Sequence, residues 1–257
     1  MSSETAIEWT DATWNPVTGC TKVSPGCAHC YAEAITLRFH RGGPFSLGQS
    51  TVKVHLERLK LPLVWKIPRR IFVNSMSDLF HEAVPLEVIL RVFSIMIEAR
   101  HHTFQILTKR HERLAKLASQ LSWPSNVWVG VSVENQIWAD RRIPYLRQVP
   151  ATTRFLSCEP LLGPLDLRCH FEGLHWVIVG GESGPKARTM DPNWARSIRD
   201  QCFEAQVPFF FKQWGGRTSK VGGRILDGNT WDQMPNILEP NIMLDVSGNK
   251  VGASSIS

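Results

Sequence analysis

The sequence predicts an α/β fold, a partial or near-complete barrel of parallel strands alternating with helices. Three observations predict it. Short apolar runs rich in β-branched and aromatic residues recur at residues 71–73, 104–107, 127–131, 154–156, 176–179 and 208–211. Continuous apolar character over so few residues suits strands buried on both faces. Helical stripes fall between several of these runs, and polar residues follow nearly every run. A β, α, β, α order implies parallel strands joined by right-handed crossovers.

Each element has its own signal. Residues 6–9 read as a first strand. Pro85 stands where a first helical turn tolerates it, and Leu86, Ile89, Leu90, Phe93 and Ile97 then repeat at helical spacing. Leu114, Leu117, Ala118 and Leu121 form a second stripe. Asp191 and Pro192 read as N-cap and first turn of a third helix carrying Trp194, Ile198 and Cys202. The Pro- and Gly-rich stretch after 154–156 predicts little helix. The strand-end clusters are 74–78, 108–110, 132–135, 157–159, 181–183 and 212–214, and in barrels that rim carries chemistry. An open doubly wound sheet is the competing layout. The barrel unit is expected over residues 1–216. An extension over 217–257 follows, with a hairpin around 224–226 and a frayed tail from Ser247 to Ser257.

The chain has 257 residues, with 43% hydrophobic and 20% charged, which excludes a wholly disordered chain. No apolar run approaches about 18 residues, so no membrane span is expected. The opening MSSETAIEWTDATW has no basic region followed by an apolar core, so it does not read as a secretory signal, and a cytoplasmic protein is expected. Lys and Arg number 29 against 23 Asp and Glu, a net charge of +6 that permits a polyanionic partner.

Six cysteines do not form a disulfide framework in a chain of this kind. Cys20, Cys27 and Cys30 crowd into GCTKVSPGCAHCYAEA, residues 19–34, whereas Cys158, Cys169 and Cys202 are scattered. Cys27 and Cys30 form C-x2-C, which brings two thiolates to one site, and Cys20 joins across a loop bent at Pro25-Gly26. A helix expected through Ile35 and Leu37 would offer amide N–H groups to anionic sulfur. Zinc would need a fourth ligand, with His29, His40 or His55 as candidates. A 4Fe–4S cluster on three cysteines would leave one iron open. A cysteine loop without metal is the third possibility.

With its cysteines ahead of a barrel's first helix, the chain resembles the radical S-adenosylmethionine (SAM) superfamily. More closely, it resembles the phage and bacterial three-Cys-motif proteins of unassigned function. The matching stretches are GCTKVSPGCAHCYAE, FVNSMSDLFHEAVP, FQILTKR, VWVGVSVEN, RFLSCEPLLGPL, WVIVGGESGPKARTM and PFFFKQWGG. The cysteine spacing departs from the superfamily's usual C-x3-C-x2-C, being C-x6-C-x2-C here. The resemblance implies a radical-SAM-type barrel whose 4Fe–4S cluster, held by Cys20, Cys27 and Cys30, chelates SAM. Reductive cleavage would then give a 5′-deoxyadenosyl radical that abstracts hydrogen from a substrate.

It also implies roles for strand-end residues. His29 falls near the adenine. Ser75, Ser77 and Asp78 would meet the SAM amino group, and Ser132, Glu134 and Asn135 the ribose. Glu159, Glu182, Lys109, Lys212 and Gln213 would face the substrate, and Cys158 could return a hydrogen atom. Capping and core packing are the bland readings for Asp78, Asn135 and Cys158. The GGESG stretch, residues 180–184, is neither a P-loop nor G-x-G-x-x-G, and reads as a glycine-lined strand end approaching a ligand.

A weaker similarity to spore-photoproduct-lyase-like enzymes, through the strand-end Ser/Asp and Thr-Lys segments, points to nucleic acid as substrate, in base modification or DNA repair. Arg38, Arg41, Lys66, Arg69, Arg70, Arg110, Arg113, Arg141, Arg142, Lys186 and Arg188 are candidate phosphate contacts. The same chemistry on a small molecule or peptide, and a non-enzymatic zinc- or Fe–S-stabilised nucleic-acid-binding protein, stand as alternatives. An enzyme of this class would need an electron donor such as flavodoxin or ferredoxin.

Overall fold

The computed structural model describes residues 5–39 and 52–236. In chain order the elements are β1 (Ala12–Trp14), β2 (Val17–Thr18), α1 (Tyr31–Phe39), β3 (Lys53–Val54), α2 (Leu61–Val64), β4 (Arg70–Val73) and α3 (Leu86–Glu98). There follow β5 (Thr103–Thr108), α4 (His111–Ala118), β6 (Val127–Ser132), α5 (Gln136–Arg147), β7 (Thr153–Cys158), β8 (Trp176–Gly180), α6 (Pro192–Glu204) and β9 (Phe209–Gln213).

Seven strands form one all-parallel sheet in the order β1-β4-β5-β6-β7-β8-β9. Each main strand lies beside the next, so right-handed crossovers put the helices on one face and the sheet curls into an open half-barrel. The barrel class is therefore the observed one, in its partial form. β2 and β3 pair separately as an antiparallel ribbon. No helix among the described residues is long and apolar enough to cross a membrane.

The two sheet faces carry different cores because side chains alternate along each strand. Ile71, Val73, Phe104, Ile106, Val129, Val131, Leu156, Cys158, Val177, Val179, Phe209 and Phe211 face the helices in the main core. Trp9, Phe72, Trp128, Phe155, Trp176, Ile178 and Phe210 fill the inner face in a second, mostly aromatic cluster. Gly130 lies on that inner face because a Cβ there would stand 2.6 Å from the Phe155 ring. The run V-W-V-G-V-S along β6 thus alternates between the helix-side core and the inner face.

The helix signals held at residues 86, 111 and 192, where α3, α4 and α6 begin within a few residues of the expected starts. Asp191 accepts a hydrogen bond from Asn193 N as an N-cap. No helix separates β7 from β8. One expectation fails. The first strand is Ala12–Trp14, whereas Trp9 tucks into the inner aromatic cluster and Thr10 Oγ1 donates to Arg70 O. α5 carries no clean apolar stripe, because one core-facing position holds Arg142 and Pro144 interrupts its interior.

Residues 217–236 lie against β9. Phe211 N donates to Trp231 O, Gln233 N donates to Phe209 O, and Leu226 bridges Asn229 around a turn at Asp227-Gly228. The hairpin turn therefore sits slightly later than residues 224–226. The expected tail and His40, Arg41 and the side chain of Arg38 lie outside what is described.

Candidate active site

The alternation that builds the aromatic floor also builds a polar layer above it. Along β6, Trp128, Gly130 and Ser132 share the inner face; along β7, Phe155 and Ser157 are continued by Glu159; along β9, Phe210 is followed by Lys212. Lys109, two positions beyond Leu107 on β5, joins them. Lys212 Nζ pairs with Glu159 Oε1 at 2.9 Å, and Ser157 Oγ donates to Glu159 Oε2 at 3.3 Å. Lys109 Nζ donates to Ser132 Oγ at 3.1 Å, and no carboxylate pairs with this half-buried ammonium among the described residues.

The cysteine segment is fastened across this layer by the ends of four strands. From the β4 end, Met76 O accepts from Gly19 N, and Ser75 O accepts from the Tyr31 hydroxyl. From the β5 end, Arg110 Nη2 donates to Thr21 O at 3.1 Å and to Thr21 Oγ1 at 2.8 Å. The same nitrogen lies 3.9 Å from Cys20 Sγ. From the β6 end, Glu134 Oε1 accepts from the Ser24 hydroxyl. Gly26 presses so close to that carboxylate that a Cβ would stand 2.5 Å from Glu134 Cγ, so the glycine is required by the approach. From the β8 end, Glu182 Oε2 accepts from His29 Nδ1 at 2.9 Å. Arg188 completes that clamp, donating to Glu182 through its backbone N, Nε and Nη2, and reaching Pro25 O at 2.9 Å. A segment held from β4 to β8 necessarily crosses the C-terminal mouth of the half-barrel.

Two carboxylates make this hold electrostatic. Glu134 is fully buried and pairs with the equally buried Arg142 at 2.9 Å. Arg142 also donates to Ser132 O and lies over the Trp138 ring at 4.1 Å. Glu182 is nearly buried. Burial works against its charge, but hydrogen bonds from Arg188 and His29 outweigh it and hold the carboxyl down at about 2. Cys20 moves the other way: burial first, then the Asp78 charge, push its thiol up to about 11, with Arg110 opposing.

Several expected ligand contacts are instead internal ties. Asp78 accepts from Phe80 N, Thr108 Oγ1 and Lys109 N, so both oxygens bind protein donors and join the β4 and β5 ends. Ser75 Oγ pairs with the Asn15 side chain, and Ser77 Oγ donates to Val17 O. Asn135 caps α5, accepting from Trp138 N, and Glu134 is sealed between Ser24 and Arg142. Glu182 is buried and spent on His29 and Arg188, while His29 gives it only Nδ1 and keeps Nε2. Gln213 donates to Ser183 Oγ and Gly181 O. Cys158 points into the helix-side core by the strand alternation, where burial raises its thiol well above the usual range, so it is a packing residue. The glycines at 180–184 serve the chain itself: a Cβ on Gly181 would strike Trp214 O, and one on Gly180 would crowd Glu159.

The phosphate list shrinks similarly. Arg70 pairs with Asp11, Arg110 with Glu82, Arg142 with Glu134 and Arg188 with Glu182. Arg113 donates to His81 O and Val84 O, and Arg69 and Arg141 lie over Trp65 and Trp138. The ties through Ser24, Gly26 and Thr21 escaped the sequence reading. Arg110 and Arg188 were singled out there for phosphate, whereas they hold the loop.

The donor set fits a group bound by three thiolates with a position left for an outside ligand. Cys20, Cys27 and Cys30 are free, half-buried and on one segment, with the Arg110 cation beside Cys20 to offset anionic sulfur. Of the named histidines that are described, His55 offers no free ring nitrogen for a closed zinc shell, both being engaged, with Thr18 Oγ1 and Glu57. His29 commits Nδ1 to Glu182 and keeps Nε2, so His29 is the one described candidate for a fourth zinc ligand. Among the described residues no group of three or more His, Cys, Asp or Glu side chains is gathered to hold a metal ion, so the fit is one of chemistry and placement.

A parallel half-barrel with a three-cysteine segment across its mouth belongs to the radical-SAM-like class of fold. The chain is a member of the DUF5131 family, described as a protein of unknown function, whose model matches residues 4–235. No curated protein matches the chain. Among solved structures it is similar to spore photoproduct lyase complexed with dinucleoside spore photoproduct. The identity is 12% and the TM-score 0.52, over 79% of this chain and 76% of that one. A point mutant of spore photoproduct lyase matches at 11% identity and TM-score 0.51, again over 79% of this chain. This chain spans 64% of that mutant's length. At such identities the likeness is one of fold.

Proposed function

We propose that the protein is a radical SAM enzyme that acts on a nucleic-acid base. The observation that carries this reading is the three-cysteine segment fastened by four strand ends across the open mouth of a parallel half-barrel. A 4Fe–4S cluster on Cys20, Cys27 and Cys30, together with SAM, supplies one-electron cleavage that yields a carbon-centred radical.

The chain's own residues prepare the surroundings. Lys109, an ammonium without a carboxylate partner, suits the carboxylate of SAM, with Ser132 beside it as a second polar contact. Glu159, neutralised on one side by Lys212, keeps an acceptor edge on the inner wall for a hydroxyl or exocyclic amine. The aromatic floor of Trp128, Phe155, Trp176 and Phe210 closes the barrel from below and excludes water. A base inside a duplex would have to be unstacked to reach this layer. Support for nucleic acid comes from the excess of basic residues and from the fold shared with a lyase solved with a dinucleoside photoproduct. An electron donor of the flavodoxin or ferredoxin kind would supply the electron.

Anaerobic incubation of reconstituted protein with SAM and dithionite tests the reading. Formation of 5′-deoxyadenosine is expected. No 5′-deoxyadenosine from protein carrying a full cluster would refute it.

A further inference from the structure

The chain after β9 makes a tight excursion. Trp214 N donates to Gly223 O at 3.0 Å, so residues 215–222 form a loop whose ends meet. Its base is pinned hard. Gly216 N donates to Glu182 O at 2.8 Å, and Gly184 N donates to Gly216 O at 2.9 Å, stitching the loop to the β8 end that clamps His29. A Cβ on Gly215 would strike Glu182 O, and one on Gly222 would stand 2.6 Å from Gly215 O. Gly215 and Gly216 also hold φ values of 80° and 109°, a region that favours glycine.

The tip is the opposite of the base. Arg217, Thr218, Ser219 and Lys220 are all exposed, and none of their side chains makes a hydrogen bond or ion pair among the described residues. Lys186, on the neighbouring loop after β8, is likewise exposed and unpaired. Three unpaired cations and two free hydroxyls thus share two adjoining loops, joined at the Ser183–Gly216 bridge next to the Glu182 clamp. Rigid backbone with unengaged cations and hydroxyls is the chemistry of phosphodiester contact, in which Arg, Lys, Ser and Thr bind phosphate oxygens without reading sequence.

We infer that the tip 217–220, with Lys186, grips the sugar–phosphate backbone of a nucleic acid and sets where it enters the mouth. The inference rests on the nucleic-acid reading above and adds the place and the residues. The choice of phosphate over the carboxylates of an acidic protein follows from that reading, and competition by polyglutamate tests it.

The test is fluorescence-anisotropy binding of a labelled single-stranded oligonucleotide across a salt series. Full-length protein is compared with Arg217→Ala/Lys220→Ala and with the charge reversal Arg217→Glu/Lys220→Glu. Both variants keep the glycines of the base, and unchanged melting temperatures check that they fold. The plot of log affinity against log salt should flatten by about 1.4 in the alanine variant, two contacts at about 0.7 each. The reversal should weaken binding further. If the parent protein fails to bind even at low salt, the nucleic-acid reading falls and takes this inference with it. If the parent binds and both variants match it in affinity and slope, the tip is not the contact although the wider reading stands. If polyglutamate displaces the oligonucleotide from the parent as well as unlabelled oligonucleotide does, the surface takes any polyanion, an acidic electron donor included, and the phosphate assignment is overturned.

Discussion

The lower and upper halves of the barrel's inner wall are built by the same strands and differ in nearly every physical respect. The lower half is Trp9, Phe72, Trp128, Phe155, Trp176 and Phe210, with ring centroids 4.7–6.3 Å apart in tilted or edge-on pairs. Two to four residues further along β5, β6, β7 and β9 the wall turns to Lys109, Ser132, Ser157, Glu159 and Lys212. The floor supplies cohesion through apolar burial. The upper layer and the loop above it hold charge in a confined place, which costs stability unless each charge has a partner. The comparison teaches that Arg110, Glu134, Glu182 and Arg188 are spent on fastening the cysteine segment, that Glu159 and Lys212 neutralise each other, and that Lys109 alone of the inner-wall charges has no counter-charge among the described residues.

Truncating the floor should show the largest loss of stability. Trp176→Ala removes a fully buried ring that touches four others, and about 3–5 kcal/mol should disappear from the unfolding free energy in urea. A loss under about 1 kcal/mol would mean the floor is not the cohesive half. Next comes the hidden pair of the upper half. Glu134→Gln leaves the buried Arg142 without its counter-charge, and about 3 kcal/mol should be lost, with the Ser24 tie weakened too. Combining it with Arg142→Met should recover part of that loss, because the uncompensated charge is then gone; a strictly additive double variant would argue against the pairing.

The Glu182 clamp makes a pH-dependent contribution. Its carboxyl sits at about 2 against an ordinary 4.5, so the native state favours the charged form. The stabilisation it gives is complete above about 4.5 and fades as pH falls toward 2. Glu182→Gln should therefore flatten the acid side of a stability-against-pH curve in that window. An unaltered acid limb would detach Glu182 from the loop. The smallest effect is expected at a cap: Asn135→Ala should cost about 1 kcal/mol and leave ligand binding alone. Loss of SAM binding without loss of stability would return Asn135 to the ribose.

Much of the fold was legible because buried parallel strands announce themselves as short apolar runs, and six of the seven sheet strands did so. β1 was misplaced since Trp9, an aromatic beside Ile7, looks like strand but packs as a plug. α5 showed in the sequence only through its cap at Asn135, because Arg142 occupies a position where periodicity seeks an apolar residue. At the site, residue types were legible and directions were not. Cys158 and Ser157 are neighbours in sequence, yet the strand's alternation sends one into the helix-side core and the other to the inner wall. Glu134 and Glu182 were marked as chemistry-bearing, but that they hold Ser24 and His29 depends on contacts across more than a hundred residues of chain. Local spacing carries no trace of those.

The central claim is that the segment across the mouth is a seat for an iron–sulfur cluster. Iron and sulfide assays on protein reconstituted without oxygen, beside Cys27→Ala treated identically, test it most directly. The account predicts one 4Fe–4S cluster per chain in the parent protein and loss of that cluster in the variant, with the fold intact in both. A single tightly held zinc, or iron content unaffected by the cysteine's removal, would contradict it.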